Sequence, residues 1–365
     1  MPPVGLMPSH PPTRSPMGPR TWPPHGTFSI VAWDPRRGEW GVALQSKFIA
    51  AGAVVPWGQA GVGALATQAR SDGSQGPKGL ELLRKGLTAS EVVERLRRDS
   101  PDRDELQFGV VDGKGRAAAF TGARCLEWAG HVVGEGYACQ GNILFSAEVV
   151  QAMARTFEST PGDLPERLLA SLVAGQREGG DRRGMQSAAL LVWRERGGYR
   201  GGLDRWIDVR VDDHATPIEE LERIFRIYDM TLLAREDPGT LRPLDADTIM
   251  SVQRALGVLG YLLGPKTGSW DAATNRAFEK FVGEHNFENK ARTDGKIWPS
   301  ILHYLERKSA EELARRETTA PIRPGALDQG PGAASPAGSS SPSPGGGEPS
   351  STRPTEKPTR RRRSA

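Results

Sequence analysis

Thr27 is the first residue of the chain whose type and position could serve chemistry. It follows Gly26 and heads the run TFSIVAWD, directly after a proline-rich beginning. A threonine hydroxyl here is either a nucleophile that needs a nearby base or an ordinary β-branched residue that starts a strand. If the next turn lies in DPRRGE, antiparallel pairing places Ser46 or Lys47 opposite Thr27, depending on a shift of one residue. An ammonium group about 5 Å away would lower the pKa of an amine or hydroxyl, so Thr27 and Lys47 are the candidate catalytic residues.

Two further segments carry groups that could bind a substrate or an oxyanion. Gln140 and Asn142 end a predicted strand, where their amide groups could donate to an oxyanion, or Asn142 could simply start the next helix. A glycine-rich loop that enters a later strand presents four polar residues: Asp181, Arg182, Arg183 and Ser187. Paired arginines bind a carboxylate through two parallel hydrogen bonds, which would suit an acidic amide substrate; solvated surface arginines are the alternative.

Three other features have a structural as well as a chemical interpretation. His131, in WAGH, is either a packing residue at a strand end or a general acid or base. Thr67 and Gln68 close a predicted strand where a pocket could lie. Cys125 and Cys139 are predicted to be inert small core residues.

The pattern of apolar residues predicts strands on both sides of helix pairs. TFSIVAW and WGVALQSKF form a predicted hairpin, and a second hairpin turns at DGKG in LQFGVVDGKGRAAAFTG. The first helix pair is GPKGLELLRKG and TASEVVERLRRDS, the latter with Thr88 and Glu91 at capping-box spacing. A second helix pair, two more strands and the helix PIEELERIFRIYDMTLLARE follow. This order predicts an α+β domain with layered sheets.

The rest of the chain divides by composition. Residues 241–316 hold three short amphipathic helices, which predict a small three-helix bundle. Residues 1–26 are proline-rich, and residues 320–365 are rich in Pro, Gly and Ser and end in an arginine run, so both ends are predicted to be disordered. The predicted layout is therefore a head at 1–26, a first domain at 27–236, the helical domain at 241–316 and a tail at 320–365.

Charge and composition exclude several classes of protein. The net charge is +4, but residues 320–365 hold seven Lys or Arg against three Asp or Glu, and residues 1–26 add two Arg. The middle is therefore close to neutral, which argues against nucleic-acid binding. Two cysteines exclude a disulfide framework and a Cys-rich zinc site. With no signal peptide and no apolar span of about 20 residues, we expect a cytoplasmic protein without membrane segments or cofactor.

Five stretches of the first domain resemble a bacterial family known as domain of unknown function 1028. They are TFSIVAWDPRRGEWGVALQSKF, AVVPWGQAGVGALATQ, WAGHVVGEGYACQGNIL, GGDRRGMQSAALLV and IDVRVDDH. This resemblance implies the αββα sandwich of the N-terminal-nucleophile (Ntn) hydrolases. The helical region resembles the small peptidoglycan-binding-like domain through VQRALGVLGYLLGPKTGSWDAATNRAFEKFVGEH.

The Ntn resemblance implies a specific chemistry for Thr27. In such hydrolases the nucleophile is the first residue of the mature chain, and its own α-amine, which titrates near pH ~8, serves as the base. Cleavage between Gly26 and Thr27 would therefore be required. The predicted function is hydrolysis of a small amide or peptide bond, with peptidoglycan as a second candidate partner and a homo-oligomer left open. The alternative is a non-catalytic protein that binds a ligand or the cell wall, although no export signal accompanies the wall-binding resemblance.

Overall fold

The computed structural model describes residues 26–233 and 235–319. Twelve strands lie in the described residues: β1 Thr27–Asp34, β2 Glu39–Ser46, β3 Pro56–Gln59, β4 Gly63–Ala69, β5 Leu106–Asp112, β6 Ala117–Thr121, β7 Gly130–Gly134, β8 Tyr137–Asn142, β9 Ser187–Arg194, β10 Arg205–Val211, β11 Arg242–Pro243 and β12 Lys296–Ile297. The α-helices of the same residues are α1 Gln75–Arg84, α2 Ala89–Asp99, α3 Glu148–Ser159, α4 Leu164–Arg177, α5 Pro217–Tyr228, α6 Ala246–Val258, α7 Ala272–Glu284 and α8 Pro299–Thr319.

Two antiparallel sheets form the first part of the chain. The larger has the strand order β10-β9-β2-β1-β8-β7, and the smaller has the order β3-β4-β5-β6. An apolar layer that includes Val31, Val42, Ala66 and Val111 lies between them. Helices α3, α4 and α5 cover the outer face of the larger sheet, while α1 and α2 cover the outer face of the smaller one. The predicted mixture of helices and sheets is confirmed.

Alternation along β1 determines which residues face the space between the sheets. Phe28 and Ile30 belong to the core under α3 and α4, whereas Val31 belongs to the layer between the sheets. Because side chains alternate along a strand, Thr27 and Ser29 face the same way as Val31. The strand therefore carries two hydroxyl groups into the interior, at the end of that layer.

Local signals read from the sequence agree with several boundaries. Helix α2 begins with the capping box in which Thr88 and Glu91 bond each other's backbone. The turn at DGKG joins β5 to β6. The helix after β10 is shorter than predicted, because α5 ends at Tyr228 and Asp229–Leu233 forms a π-helical turn.

The region after residue 241 contains α6, α7, α8 and the two-stranded pair β11–β12. Asp245 and Asp271 cap the first two helices by accepting from the backbone N–H of Thr248 at 2.8 Å and Thr274 at 2.7 Å. Phe281, Leu256, Ile301 and Leu305 are among the core residues. The sequence predicted the three helices but not the pair of two-residue strands, since such short strands show no alternation.

Contact density places the described chain up to Glu312 in one compact unit and the end of α8 in a second. Within the first unit, the Asn289 side chain donates to the carbonyl oxygens of Met230 at 3.3 Å and Thr231 at 3.2 Å. The helical region thus caps the π-helical turn that follows α5. The predicted disordered head and tail, apart from Gly26, lie outside the described residues.

Within residues 26–233 and 235–319, no helix has the length and apolar character that crossing a bilayer requires. The same residues contain no group of three or more His, Cys, Asp or Glu side chains arranged to hold a metal ion.

Candidate active site

Thr27 is fully buried at the beginning of β1, between two neighbouring strands. Its register partner on β2 is Ser46, and its partner on β8 is Asn142. The structure therefore decides the open register in favour of Ser46 rather than Lys47. The Lys47 ammonium is exposed and donates to the Met185 carbonyl oxygen at 3.1 Å.

The carbonyl oxygen of Gly26 accepts two hydrogen bonds beside the Thr27 hydroxyl. The Ser46 hydroxyl donates one of them, and the Arg183 guanidinium donates the other from Nη2 at 3.1 Å. The Thr27 hydroxyl in turn donates to Ser46 Oγ at 3.1 Å. Hydrogen bonds from a hydroxyl and a cation draw electron density from the carbonyl, so the Gly26 carbonyl carbon is made electrophilic next to a hydroxyl group.

A buried carboxylate holds Arg183 in place. Asp181 accepts from Arg183 Nη2 at 2.7 Å, from its Nε at 3.0 Å and from its backbone N–H at 3.0 Å. It also accepts from the backbone N–H of Lys47 at 3.1 Å. A carboxylate with no exposed area requires such partners, and they orient the guanidinium towards Gly26.

Only glycine fits at position 26 without displacing these groups. A Cβ there would lie 2.6 Å from Arg183 Nη2, 2.7 Å from Asp181 Oδ2 and 2.9 Å from Ile143 Cβ. Backbone approaches of this kind are a characteristic use of glycine. Close packing around Gly26 therefore explains why a glycine precedes Thr27.

Buried amide side chains fix the position of the Thr27 backbone. Gln68 Nε2 donates to the Thr27 carbonyl oxygen at 3.2 Å, and its Oε1 accepts from Ser29 Oγ at 2.6 Å. The Oε1 atom of Gln107 accepts from Gln68 Nε2 at 2.8 Å and from Asn142 Nδ2 at 2.9 Å. Because Gln68 and Gln107 each have partners on both the oxygen and the nitrogen, with Gln107 Nε2 donating to the Gly141 carbonyl oxygen at 2.8 Å, these contacts set which way the two amides point.

A cavity of about 210 Å³ opens beside this network. Its lining residues come from the ends of β4 and β8 and from the segments before β5 and after β6: Ala69, Arg70, Glu105, Arg124, Cys125, Leu126 and Asn142. Glu105 Oε2 accepts from Arg70 Nη1 at 2.6 Å, and Glu105 Oε1 lies 3.4 Å from Arg124 Nε. Burial raises the pKa of the Cys125 thiol to about 11, so this cysteine is not a nucleophile at neutral pH.

A larger cavity, of about 420 Å³, lies at the opposite end of β1. Trp33, Tyr137, Phe157 and Arg167 are among its lining residues. Trp33 is six positions along the extended strand from Thr27, a distance of about 20 Å. The smaller cavity is therefore the one that belongs to the Thr27 site.

The structure brings Asp181, Arg183 and Asn142 to Thr27 but not the other predicted site residues. Arg182 is exposed, and its backbone N–H donates to the Ile143 carbonyl oxygen. Because the Arg183 guanidinium donates to Asp181 and to the Gly26 carbonyl oxygen, Arg182 and Arg183 do not form a joint site for a carboxylate.

Three other predicted residues have structural partners. Gln140 Nε2 donates to Ser29 Oγ at 2.7 Å between the sheets. Ser187 Oγ donates to the Phe48 carbonyl oxygen at 2.6 Å, and His131 Nδ1 lies 2.8 Å from Thr121 Oγ1 at the surface.

The sequence placed Ser46 as a possible neighbour of Thr27 but indicated no chemical role for it. It did not indicate Arg70, Glu105 or Arg124 as site residues. The positions of Gln68 and Asn142 at strand ends were the signals near the cavity. Arg124 lies in a loop and Glu105 ends the short 3-10 turn Arg103–Glu105, and neither segment has a periodicity that connects it with Thr27.

Comparison with known proteins gives two family matches. Residues 27–221 match the model described as "Family of unknown function (DUF1028)". Residues 231–305 match the model described as "Putative peptidoglycan binding domain". No curated protein matches the chain.

A solved structure covers the first of these two regions. It is the crystal structure of a DUF1028 protein from Silicibacter pomeroyi, which is 29% identical in sequence with a TM-score of 0.52. The alignment covers 57% of this chain and 92% of that one.

Proposed function

The chain belongs to the DUF1028 family, and from the geometry around Thr27 we propose that it is an amide hydrolase of the N-terminal-nucleophile type. The observation that carries the proposal is the Gly26 carbonyl oxygen, held by Ser46 and Arg183 beside the Thr27 hydroxyl. Two sheets packed face to face between helical layers support an assignment to the Ntn fold.

The first step is self-cleavage between Gly26 and Thr27. Thr27 Oγ attacks the Gly26 carbonyl carbon while its proton passes to Ser46, whose own proton goes to the carbonyl oxygen. The Gly26–Thr27 C–N bond then breaks as the C=O bond re-forms, the proton held on that oxygen passes to the departing nitrogen, and an ester joins Gly26 to Thr27 Oγ. Water hydrolyses the ester, which leaves the Gly26 carboxylate and a Thr27 with a free α-amine.

The freed α-amine then acts as the base in hydrolysis of an external amide. It accepts the proton from Thr27 Oγ as the oxygen attacks the substrate carbonyl, and it passes that proton to the departing amine. The donors that held the Gly26 carbonyl, on Ser46 and Arg183, are placed to stabilise the substrate's oxyanion. Water then hydrolyses the acyl ester and restores the hydroxyl.

The intact mass of the purified full-length chain tests the proposal. We expect a product that begins at Thr27, and we expect Thr27→Val, which replaces the hydroxyl by a methyl group, to stay uncut. Thr67→Val is the matched control, because Thr67 is also a buried strand residue and its hydroxyl has no hydrogen-bond partner within the described residues. Active wild-type protein that retains residues 1–26 would contradict the proposal.

The helical region supports a second proposed activity, binding to peptidoglycan, because residues 231–305 match the domain family described by that role. We expect the full chain to sediment with purified cell walls and to stay in solution when the walls are digested to soluble fragments. Equal recovery with and without intact walls would exclude this activity.

A further inference from the structure

The cavity lined by Arg70, Glu105 and Arg124 is connected to Thr27 through two strands. Asn142 lines the cavity and is the register partner of Thr27 on β8, so their Cα atoms lie about 5 Å apart. On β4, Gln68 bonds the Thr27 carbonyl oxygen, and Arg70 follows two residues later. A small substrate bound at Thr27 would therefore extend into this cavity.

The charge of the lining favours an anion. Two guanidinium groups and one carboxylate line the cavity, and the Asp104 carboxylate, outside the lining, pairs with Arg124. The hydrogen bond from Arg70 together with the contact from Arg124 lowers the pKa of Glu105, which stays ionised. A guanidinium has five N–H donors. Within the described residues the Arg70 side chain donates one hydrogen bond, to Glu105. The Arg124 side chain donates from Nη1 to Asp104 at 3.3 Å, and its Nε lies 3.4 Å from Glu105 Oε1. Donors on both arginines are therefore available to a ligand.

The size of the cavity and its apolar lining residues indicate what kind of anion it could bind. Ala69 and Leu126 add apolar surface, and Leu126 is 48% exposed. The volume of about 210 Å³ limits the ligand to a small molecule. The cavity thus suits a short aliphatic chain that ends in a carboxylate.

We propose that this cavity is the specificity subsite of the Thr27 centre and that it binds a substrate carboxylate at the end of a short aliphatic chain. The inference rests on the proposed function, since it makes the substrate an amide of a short dicarboxylic acid. Glu105 holds the two arginines side by side, and their remaining donors bind the carboxylate.

A binding experiment tests the subsite without turnover. Glutarate and its neutral diamide are titrated calorimetrically into full-length Thr27→Val, which retains Gly26 as in the structure. We expect glutarate to bind at least about tenfold more tightly than the diamide, and Arg70→Gln or Arg124→Gln to remove that preference. Arg103→Gln, which removes an exposed positive charge outside the cavity lining, should retain it. Equal binding of the two ligands, or preference for an organic cation such as pentane-1,5-diamine, would overturn the proposal.

A second experiment uses the processed wild-type protein. The rates for glutaryl-p-nitroanilide and pentanoyl-p-nitroanilide are compared, and we expect the first to have the higher kcat/KM by about tenfold or more, mainly through KM. If glutarate binds but the chain does not cleave itself, the carboxylate subsite stands and the role of Thr27 as nucleophile is rejected. Cleavage and turnover without preference for the carboxylate would reject the subsite alone.

Discussion

At the scale of single residues, the contacts of the Gly26 carbonyl oxygen are the basis for proposing a catalytic role for Thr27. A strand-starting threonine needs neither a donor pair on the preceding carbonyl nor a hydroxyl partner that also bonds that carbonyl. Ser46 and Arg183 form the donor pair, and Ser46 is also the acceptor of the Thr27 hydroxyl.

Ser46→Ala should slow self-cleavage by about 10²–10³-fold, because it removes one of the two donors to the Gly26 carbonyl and the acceptor of the Thr27 proton. The measurement is the time course of cleavage in freshly purified chain, followed by intact mass.

Ser187→Ala provides the control for Ser46→Ala, since Ser187 is the register partner of Ser46 on β9 and is equally buried. Its hydroxyl joins Phe48 to Ala51 and has no contact with Gly26. It should cost about 1 kcal/mol of stability and leave the rate of cleavage unchanged. Equal cleavage rates in the two variants would exclude a role for Ser46.

The sequence predicts those contacts of the site that form between segments close together in the chain. The turn after β1 brings Ser46 or Lys47 to Thr27, and only the one-residue shift had to be read from the structure. Arg183 is different, because it lies 157 residues from Gly26 and meets it through long-range packing. The glycine-rich, charged composition of the loop containing Arg183 indicated a candidate site. That composition did not show which group the guanidinium would contact.

At the scale of elements, the spacing of apolar residues made the hairpins and helices predictable. A buried charged residue within a strand is visible only in the structure. Glu39 begins β2 and is fully buried. Arg194 Nη1 donates to its Oε1 at 3.2 Å, while its Oε2 has no hydrogen-bond partner among the described residues. Burial outweighs the attraction of Arg194 and raises the pKa of Glu39.

This raised pKa predicts the sign of a pH effect on stability. Below the unfolded value near 4.5 the carboxyl is protonated in both states, and as pH rises above it the unfolded state loses the proton first. Glu39 therefore costs the folded state progressively more stability with rising pH, up to its folded pKa. Glu39→Gln, which stays neutral, should gain stability relative to wild type across that window.

Thermal melts of Glu39→Gln and wild type between about pH 4 and pH 8 measure this difference. Glu94→Gln, an exposed change on α2, should show no such trend. A stability difference that shrinks as pH rises would mean that the ion pair with Arg194 outweighs burial.

At the scale of the whole molecule, side chains of the helical region bond the end of the first region. Asn289 caps the π-helical turn, and the buried Lys290 forms an ion pair with Glu236. Sequence patterns identified both regions from their own periodicity, but a contact between two such regions leaves no periodic signal.

Glu236→Gln should destabilise the chain by about 1–3 kcal/mol, because it leaves the Lys290 ammonium buried without its carboxylate. Glu288→Gln changes an exposed residue on the same short segment and should have little effect. Denaturant unfolding of the full-length variants measures both changes. Equal midpoints would show that the pair contributes nothing to holding the two regions together.

The three groups around the Gly26 carbonyl come from separate parts of the chain: the start of β1, the end of β2 and the loop before β9. They meet only after the larger sheet has assembled, since β9 must already be paired with β2. Under the proposed function, a misfolded copy could not mature, because it would lack the donors that cleavage requires. Loss of the head would then act as a folding checkpoint, and the hydrolase would be switched on one molecule at a time as each copy reaches its native state.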